Sequence, residues 1–204
     1  TAVTFTVVRP RIVTLDVSAA KAMPGVFAVL TQDDVPDVKF GPFVQDRTLF
    51  ARDVVRFEGE IIAAVAAVDA ATAQRAVDAI VVEYEALPVG NDIEGALSAD
   101  SPLVHTEWAG YGGVDVLVRD RNDASFASIA KGDVDEGMAA ADHVVRSRYV
   151  ADGCHAVPIE PRAVVAQWEG NKVTIWTSTQ VPFDARAGVC ETLELPNSRV
   201  RIIV

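Results

Sequence analysis

Gln180 stands where a strand-like run, Lys172–Thr177, gives way to a helix that Pro182 can begin, since proline suits the first helical position. A neutral amide at such a junction donates one hydrogen bond and accepts another. That chemistry suits holding an oxo or hydroxyl group without adding charge, although a turn glutamine facing water is the more ordinary state. Phe183, Ala187, Cys190 and Leu193 then repeat at about the helical period, which predicts a helix that packs on this face and holds its own start in place. Glu160-Pro161-Arg162 is a second candidate. Proline fixes the backbone there, and the acid and guanidinium beside it could orient a neighbour. A structural ion pair at the start of a strand is the simpler reading.

Other reactive side chains do not assemble. His105, His143 and His155 lie far apart, and none has a His or Cys at ligand spacing, so a zinc site finds no convergent set. There is no GxSxG motif, and Cys190 falls inside a helix among apolar neighbours, where a structural thiol is expected. Cys154 and Cys190 form no CxxC and read as two reduced, partly buried thiols, which points to the cytoplasm. The pairs Glu58/Glu60 and Glu83/Glu85 resemble halves of an acid/base system. Spacing of i, i+2 puts each pair on one strand face, expected to be the solvent face. Gly110, Gly112 and Gly113 are not placed between a strand and a helix, which disfavours a phosphate-cradling loop and favours a linker running over the first domain.

The elements that must position these residues follow from period and punctuation. Arg11–Val17 and Val26–Leu30 read as strands, separated by a helical turn over Ser18–Met23 that Pro24-Gly25 ends. Thr31 can cap a short helix before Pro36. Residues 37–53 read as a loop with a strand fragment, and Val54–Phe57 and Ile61–Val68 as strands, the second buried on both faces. Asp69 caps a helix whose Ala73, Ala76, Val77 and Ile80 share one face. Val82 and Tyr84 then alternate with Glu83 and Glu85 in a strand. After Gly132, Asp133 caps a helix with Val134, Met138 and Ala141 on one side, and Val144–Val150 reads as a strand. The strands Ala163–Gln167 and Lys172–Thr177 flank the turn Glu169-Gly170-Asn171, and Arg199–Val204 closes the sequence as a strand.

Composition narrows the class. The net charge of −11, from 18 basic and 29 acidic residues, argues against nucleic acid, whose partners carry a basic patch. Half the residues are hydrophobic, enough to bury a core. No run approaches the roughly 20 apolar residues of a membrane span, and Thr1–Val8 lacks the pattern of a signal peptide. With no initiator Met, the true start is expected to be removed or to lie upstream.

In order and spacing, these segments resemble the large, molybdenum-binding subunit of the xanthine dehydrogenase, aldehyde oxidase and carbon monoxide dehydrogenase family. Arg11–Asp16, Met23–Val26 and Ala28–Thr31 are similar to the opening of that family's α/β hammerhead domain, and Asp53–Val65 and Ala76–Pro88 continue it. Gly132-Asp133-Val134-Asp135 with Ala141-Asp142 resembles the entry to the molybdopterin-binding domain, and Glu160-Pro161-Arg162, Trp176–Gln180 and Leu195-Pro196 extend the match. The resemblance implies an α+β chain: a hammerhead domain over 1–105, a linker over 106–131, and the start of a molybdopterin-binding domain over 132–204. It implies part of a hydroxylase that oxidises aldehydes, N-heterocycles or a related small substrate with water-derived oxygen. The implied cofactor is molybdopterin with Mo, as the cytosine dinucleotide, with FAD and [2Fe–2S] clusters on partner subunits or domains. The residue matching Gln180 hydrogen-bonds an oxygen ligand on molybdenum in that family, so Gln180 is the cofactor-binding residue the resemblance implies.

The departures from the family are equally specific. His155 lies five residues before Glu160, where many members have a His four before, and Phe183 stands where members often have a His after the motif proline. The family's glycine-rich loop and its catalytic glutamate are expected beyond Val204, so no complete catalytic set is expected in these residues and turnover by them alone is not. The alternative is a stand-alone hammerhead module for binding or assembly, without catalysis.

Overall fold

The computed structural model describes residues 2–3, 9–90, 92–113, 121–123, 128–151, 154 and 156–204. Its order of elements is β1 (Ala2–Val3), β2 (Pro10–Asp16), α1 (Ser18–Lys21), β3 (Val26–Leu30), β4 (Ala63–Ala67), α2 (Ala70–Asp78), β5 (Val81–Ala86), α3 (Ile93–Leu97), α4 (Val134–Ala140), β6 (Val164–Glu169), β7 (Lys172–Thr177), α5 (Pro182–Thr192) and β8 (Val200–Ile203). Mixed helices and sheets place the chain in the α+β class, as expected.

The first half is built on two antiparallel sheets. One has the order β1-β4-β3, and the other pairs β2 with β5. Helix α2 forms because Asp69 accepts the Thr72 N–H at 2.7 Å, satisfying one of the orphan donors at its start. Its Ala73 and Ala76 are buried and meet Ala20 of α1, Val29 of β3 and Val65 of β4. Alanines at these contacts let the helices lie close to the sheet. A second cluster joins Ala51, Val55 and Ile62 to Ile12, Val82 and Tyr84 on the inner face of the β2–β5 ribbon. Glu83 and Glu85 alternate with Val82 and Tyr84 and face water, as their period requires. Thr31 caps as expected, in a reciprocal box with Asp34, although the turn it starts, Gln32–Asp34, is 3-10 rather than α.

The strand reading of 54–68 is corrected. Val54 forms only an isolated bridge to Arg11, and the regular strand is Ala63–Ala67. It is not buried on both faces: Ala63 and Val65 are buried while Ala66 is exposed. α1 and α2 contact the β3–β4 sheet from one side, so an all-apolar sequence marks a strand without specifying that both faces are covered. Glu58/Glu60 is also corrected as a solvent-facing pair. The two lie in a turn, Glu58 is exposed, and the Glu60 side chain retains only 13% of its exposure.

The second half carries a three-stranded sheet of order β6-β7-β8. β6 and β7 form an antiparallel hairpin from Val164↔Thr177 to Glu169↔Lys172. β8 returns parallel to β7 from Val173↔Val200 to Trp176↔Ile203, with α5 as the crossover, the connection that parallel neighbours demand. Val173 and Val200 are buried together, but all six residues of β6 are exposed. α4 forms under its Asp133 cap, yet Val134 and Met138 lie exposed. Residues 144–150 form no strand. Their pattern supplies a β-like face, but a strand also needs a ladder partner, and none lies beside it among the described residues.

The two halves meet where the loop 40–47 docks. Phe40 and Arg47 exchange backbone hydrogen bonds of 2.9 and 3.1 Å, and Gln45 N–H donates to the Gly112 carbonyl at 2.9 Å. A Cβ on Gly113, whose φ is +78°, would meet the Phe43 carbonyl oxygen at 2.1 Å, and one on Gly112 would meet Gln45 Oε1 at 2.1 Å. Close backbone approach therefore explains Gly113, while the contact at Gly112 is with the end of a flexible side chain. The Gln45 amide also donates to Glu191 of α5 at 2.7 Å. Asn122 accepts from Val104 N–H at 2.9 Å and donates to the Ala96 and Pro102 carbonyls at 2.9 and 3.0 Å, holding the chain after the glycines against the first half.

Candidate functional site

Gln180 sits at the carboxyl end of β7, two residues before Pro182 opens α5. In β–α–β units this is the end at which ligands are held, because the loops there converge and the helix presents free N–H groups. Thr177 is the last ladder residue, paired with Val164. Ser178 to Val181 then carry the chain into the helix, whose first turn is closed by Ala185 N–H donating to the Val181 carbonyl at 2.9 Å. Inside this short connection Thr179 Oγ1 accepts the Val181 N–H at 3.2 Å. No side chain caps the helix.

The Gln180 side chain is exposed and makes no hydrogen bond among the described residues. Both functions of its amide are therefore free, one to donate and one to accept. Such a group can steady an oxygen atom of a ligand without contributing charge. Thr179 was not singled out by sequence reasoning. The signal for it was local: a threonine two residues before a backbone N–H that can close on its hydroxyl.

Among the described residues no hydrogen bond or ion pair joins Gln180 to the other sequence candidates. Glu160 and Arg162 are both exposed, and no ion pair joins them among the described residues, so the structural pair expected there is not formed. His143 is exposed. The His105 Nδ1 is 3.1 Å from the Tyr111 hydroxyl and its ring meets that ring edge-on. Lys39 lies 5.1 Å from the centre of the same tyrosine ring and donates to Glu107 at 2.7 Å, so His105 belongs to a clasp between residues 39 and 111. His155 lies outside the described residues. Cys190 is half-buried in α5, as expected of a structural thiol, whereas Cys154 is exposed rather than partly buried.

The expected packing face of α5 is also corrected. Phe183, Ala187 and Leu193 are exposed, the Arg186 guanidinium lies 5.7 Å from the Phe183 ring centre, and Thr192 is the buried residue. Apolar residues are spread around this helix, so a single set at i, i+4, i+7 did not identify the covered side. Between α5 and the loop 40–49 lies a cavity of about 650 Å³, walled by Phe40, Pro42, Leu49, Ala185, Val189 and Leu193. Gln180 is not part of its wall. This cavity and the candidate amide are thus different places.

No group of three or more His, Cys, Asp or Glu side chains among the described residues could hold a metal ion. No helix among them is long and apolar enough to cross a membrane.

Comparison with known proteins finds two family descriptions in sequence along the chain. The aldehyde oxidase and xanthine dehydrogenase a/b hammerhead domain matches residues 1–88, and the molybdopterin cofactor-binding domain matches residues 118–204. The nicotinate dehydrogenase large molybdopterin subunit of Eubacterium barkeri is 38% identical over 200 residues, covering 97% of this chain and 44% of that protein. Among solved structures, quinoline 2-oxidoreductase from Pseudomonas putida 86 superposes with a TM-score of 0.75 at 29% identity, over 99% of this chain and 26% of that one. Reconstituted CO dehydrogenase from Oligotropha carboxidovorans does so with a TM-score of 0.82 at 29% identity, over 96% of this chain and 25% of that one. The chain spans under half the length of the curated relatives it matches.

Proposed function

The chain belongs to the aldehyde oxidase and xanthine dehydrogenase family of molybdenum-binding large subunits, and from that premise we propose that it serves as part of a hydroxylase acting on an N-heterocycle, an aldehyde or a related small substrate. The observation that carries the reading is Gln180: a free neutral amide at the carboxyl end of β7, within a match that runs along nearly the whole chain. When bound, the molybdenum cofactor supplies the oxidising centre at which a water-derived oxygen is inserted into a C–H bond. The donor set fits it. An amide with no cluster of three acidic, thiolate or imidazole groups among the described residues suits a metal carried by an organic ligand and touched by the protein through hydrogen bonds, as outer partners do.

In this reading Gln180 donates to an oxygen of the bound cofactor and, being uncharged, does not compete for the metal. The rigid β7 ladder behind it and Pro182 ahead of it limit how far the amide can swing. Relatives named for nicotinate and quinoline favour an N-heterocyclic substrate. The cytosine dinucleotide form of molybdopterin, [2Fe–2S] clusters and FAD on partner subunits or domains, and a cytoplasmic site of action complete the proposal. They rest on the family resemblance, as does the division at 1–105, 106–131 and 132–204.

The test uses the complete assembly expressed from the native locus. Metal analysis should find molybdenum, and turnover of nicotinate or quinoline in ¹⁸O-water should label the product. Gln180→Ala should lower kcat by about 10- to 100-fold while molybdenum content is kept. An assembly without molybdenum, or a Q180A enzyme with unchanged kcat and Mo(V) resonance, overturns the reading.

A further inference from the structure

We propose that Thr179 is the positioning residue for Gln180, a role that rests on the reading of Gln180 as the cofactor contact. Residues 178–181 belong neither to the β7 ladder nor to the helical turns of α5, so their backbone direction has to be set by something else. Thr179 Oγ1 accepts the Val181 N–H at 3.2 Å. The ring closed by that bond runs from the threonine hydroxyl through the whole backbone of Gln180 to the next nitrogen. Both soft dihedral angles of Gln180 lie inside it.

The two sides of the ring are stiff. Thr179 is β-branched, so its χ1 has few wells and the hydroxyl cannot wander. Val181 precedes a proline and is held away from the helical region, at φ −128° and ψ 67°. Pro182 locks its own φ, and the Val181 carbonyl is engaged by Ala185 N–H at 2.9 Å. With the backbone of Gln180 bracketed in this way, the direction of its Cα–Cβ bond is set before any ligand arrives. Among the described residues the side chain itself makes no hydrogen bond and stays available. Thr179 touches no reacting atom in this account. It works by restricting where the neighbouring amide can point, and a misplaced amide is expected to weaken catalysis more than binding.

Three variants of the complete assembly test this, with molybdenum content, Mo(V) paramagnetic resonance and steady-state kinetics measured on each. Thr179→Val removes the acceptor while keeping the branched shape, and Thr179→Ser keeps the acceptor. T179V should retain its molybdenum, show shifted or broadened Mo(V) resonances, and lose about tenfold in kcat with little change in KM. T179S should restore both signals. Hydrogen exchange at the Val181 amide should quicken several-fold in T179V and not in T179S. Wild-type resonance and kcat in T179V, alongside altered values in Gln180→Ala, would refute the positioning role and leave the reading of Gln180 standing. Unaltered values in Q180A as well would remove both. Loss of molybdenum from T179V with T179S normal would make the threonine a structural residue of the domain, and would also refute the role.

Discussion

At the scale of single residues, Glu60 shows how far environment can depart from position. Its carboxylate accepts the Arg56 N–H at 2.5 Å, and the Arg56 guanidinium is 3.9 Å away. Burial nevertheless pushes its pKa above the ordinary glutamate range, because lost hydration outweighs these contacts. The folded chain thus holds this proton more tightly than the unfolded chain. Stability falls as pH rises from the unfolded pKa to the raised folded one, and the cost persists at higher pH. Glu60→Gln keeps an acceptor for Arg56 and removes the charge. It should raise the melting temperature at pH 7, with the advantage vanishing below the unfolded glutamate pKa. A variant that melts lower than the parent at pH 7 would show that the ion pair outweighs desolvation.

At the scale of elements, α1 and α2 approach β3 and β4 through alanines, and Ala76 is fully buried among them. The apolar face of α2 at residues 73, 76, 77 and 80 was legible because caps and period are local. A close-packed contact leaves no room for extra methylenes. Ala76→Leu should therefore destabilise the hammerhead by about 1–3 kcal/mol, read from the shift in urea midpoint at constant slope. Helix α5 behaves differently. Its start at Pro182 was readable from proline chemistry, but its covered side was not, because apolar residues surround it and only the tertiary neighbours choose among them. Val144–Val150 makes the same point for a strand, since alternation describes a face and says nothing about a partner.

At the scale of the whole molecule, the halves are joined through Gln45, which bonds both Gly112 and Glu191. Gly113 sits under Phe43 in the left-handed region, with no space for a Cβ. Gly113→Ala should cost at least about 1–2 kcal/mol from the backbone alone. It should also speed hydrogen exchange at the Gln45 amide, which reports whether the loop 40–47 has lifted. Unchanged exchange there would mean that the loop is held from elsewhere. The same junction explains Gly113, which lets one segment of backbone lie against another rather than cradling a phosphate.

Sequence alone determined the α+β class, the family, the caps at Thr31, Asp69 and Asp133, the β6–β7 hairpin and the junction that bears Gln180. These depend on hydrogen-bonding and period within a few residues, so they can be read without the fold. Tertiary structure decided which of two similar acids is buried, as at Glu60 and Glu58. It decided that β4 is covered on one face, which side of α5 is covered, and that Gly113 meets Phe43. Each of these depends on what a distant segment places opposite the residue, and no local pattern encodes that. The bond from Thr179 to Val181 lies between the two cases. Its spacing is local, but that it closes around the one free amide at the end of β7 becomes visible only when strand, turn and helix are seen together.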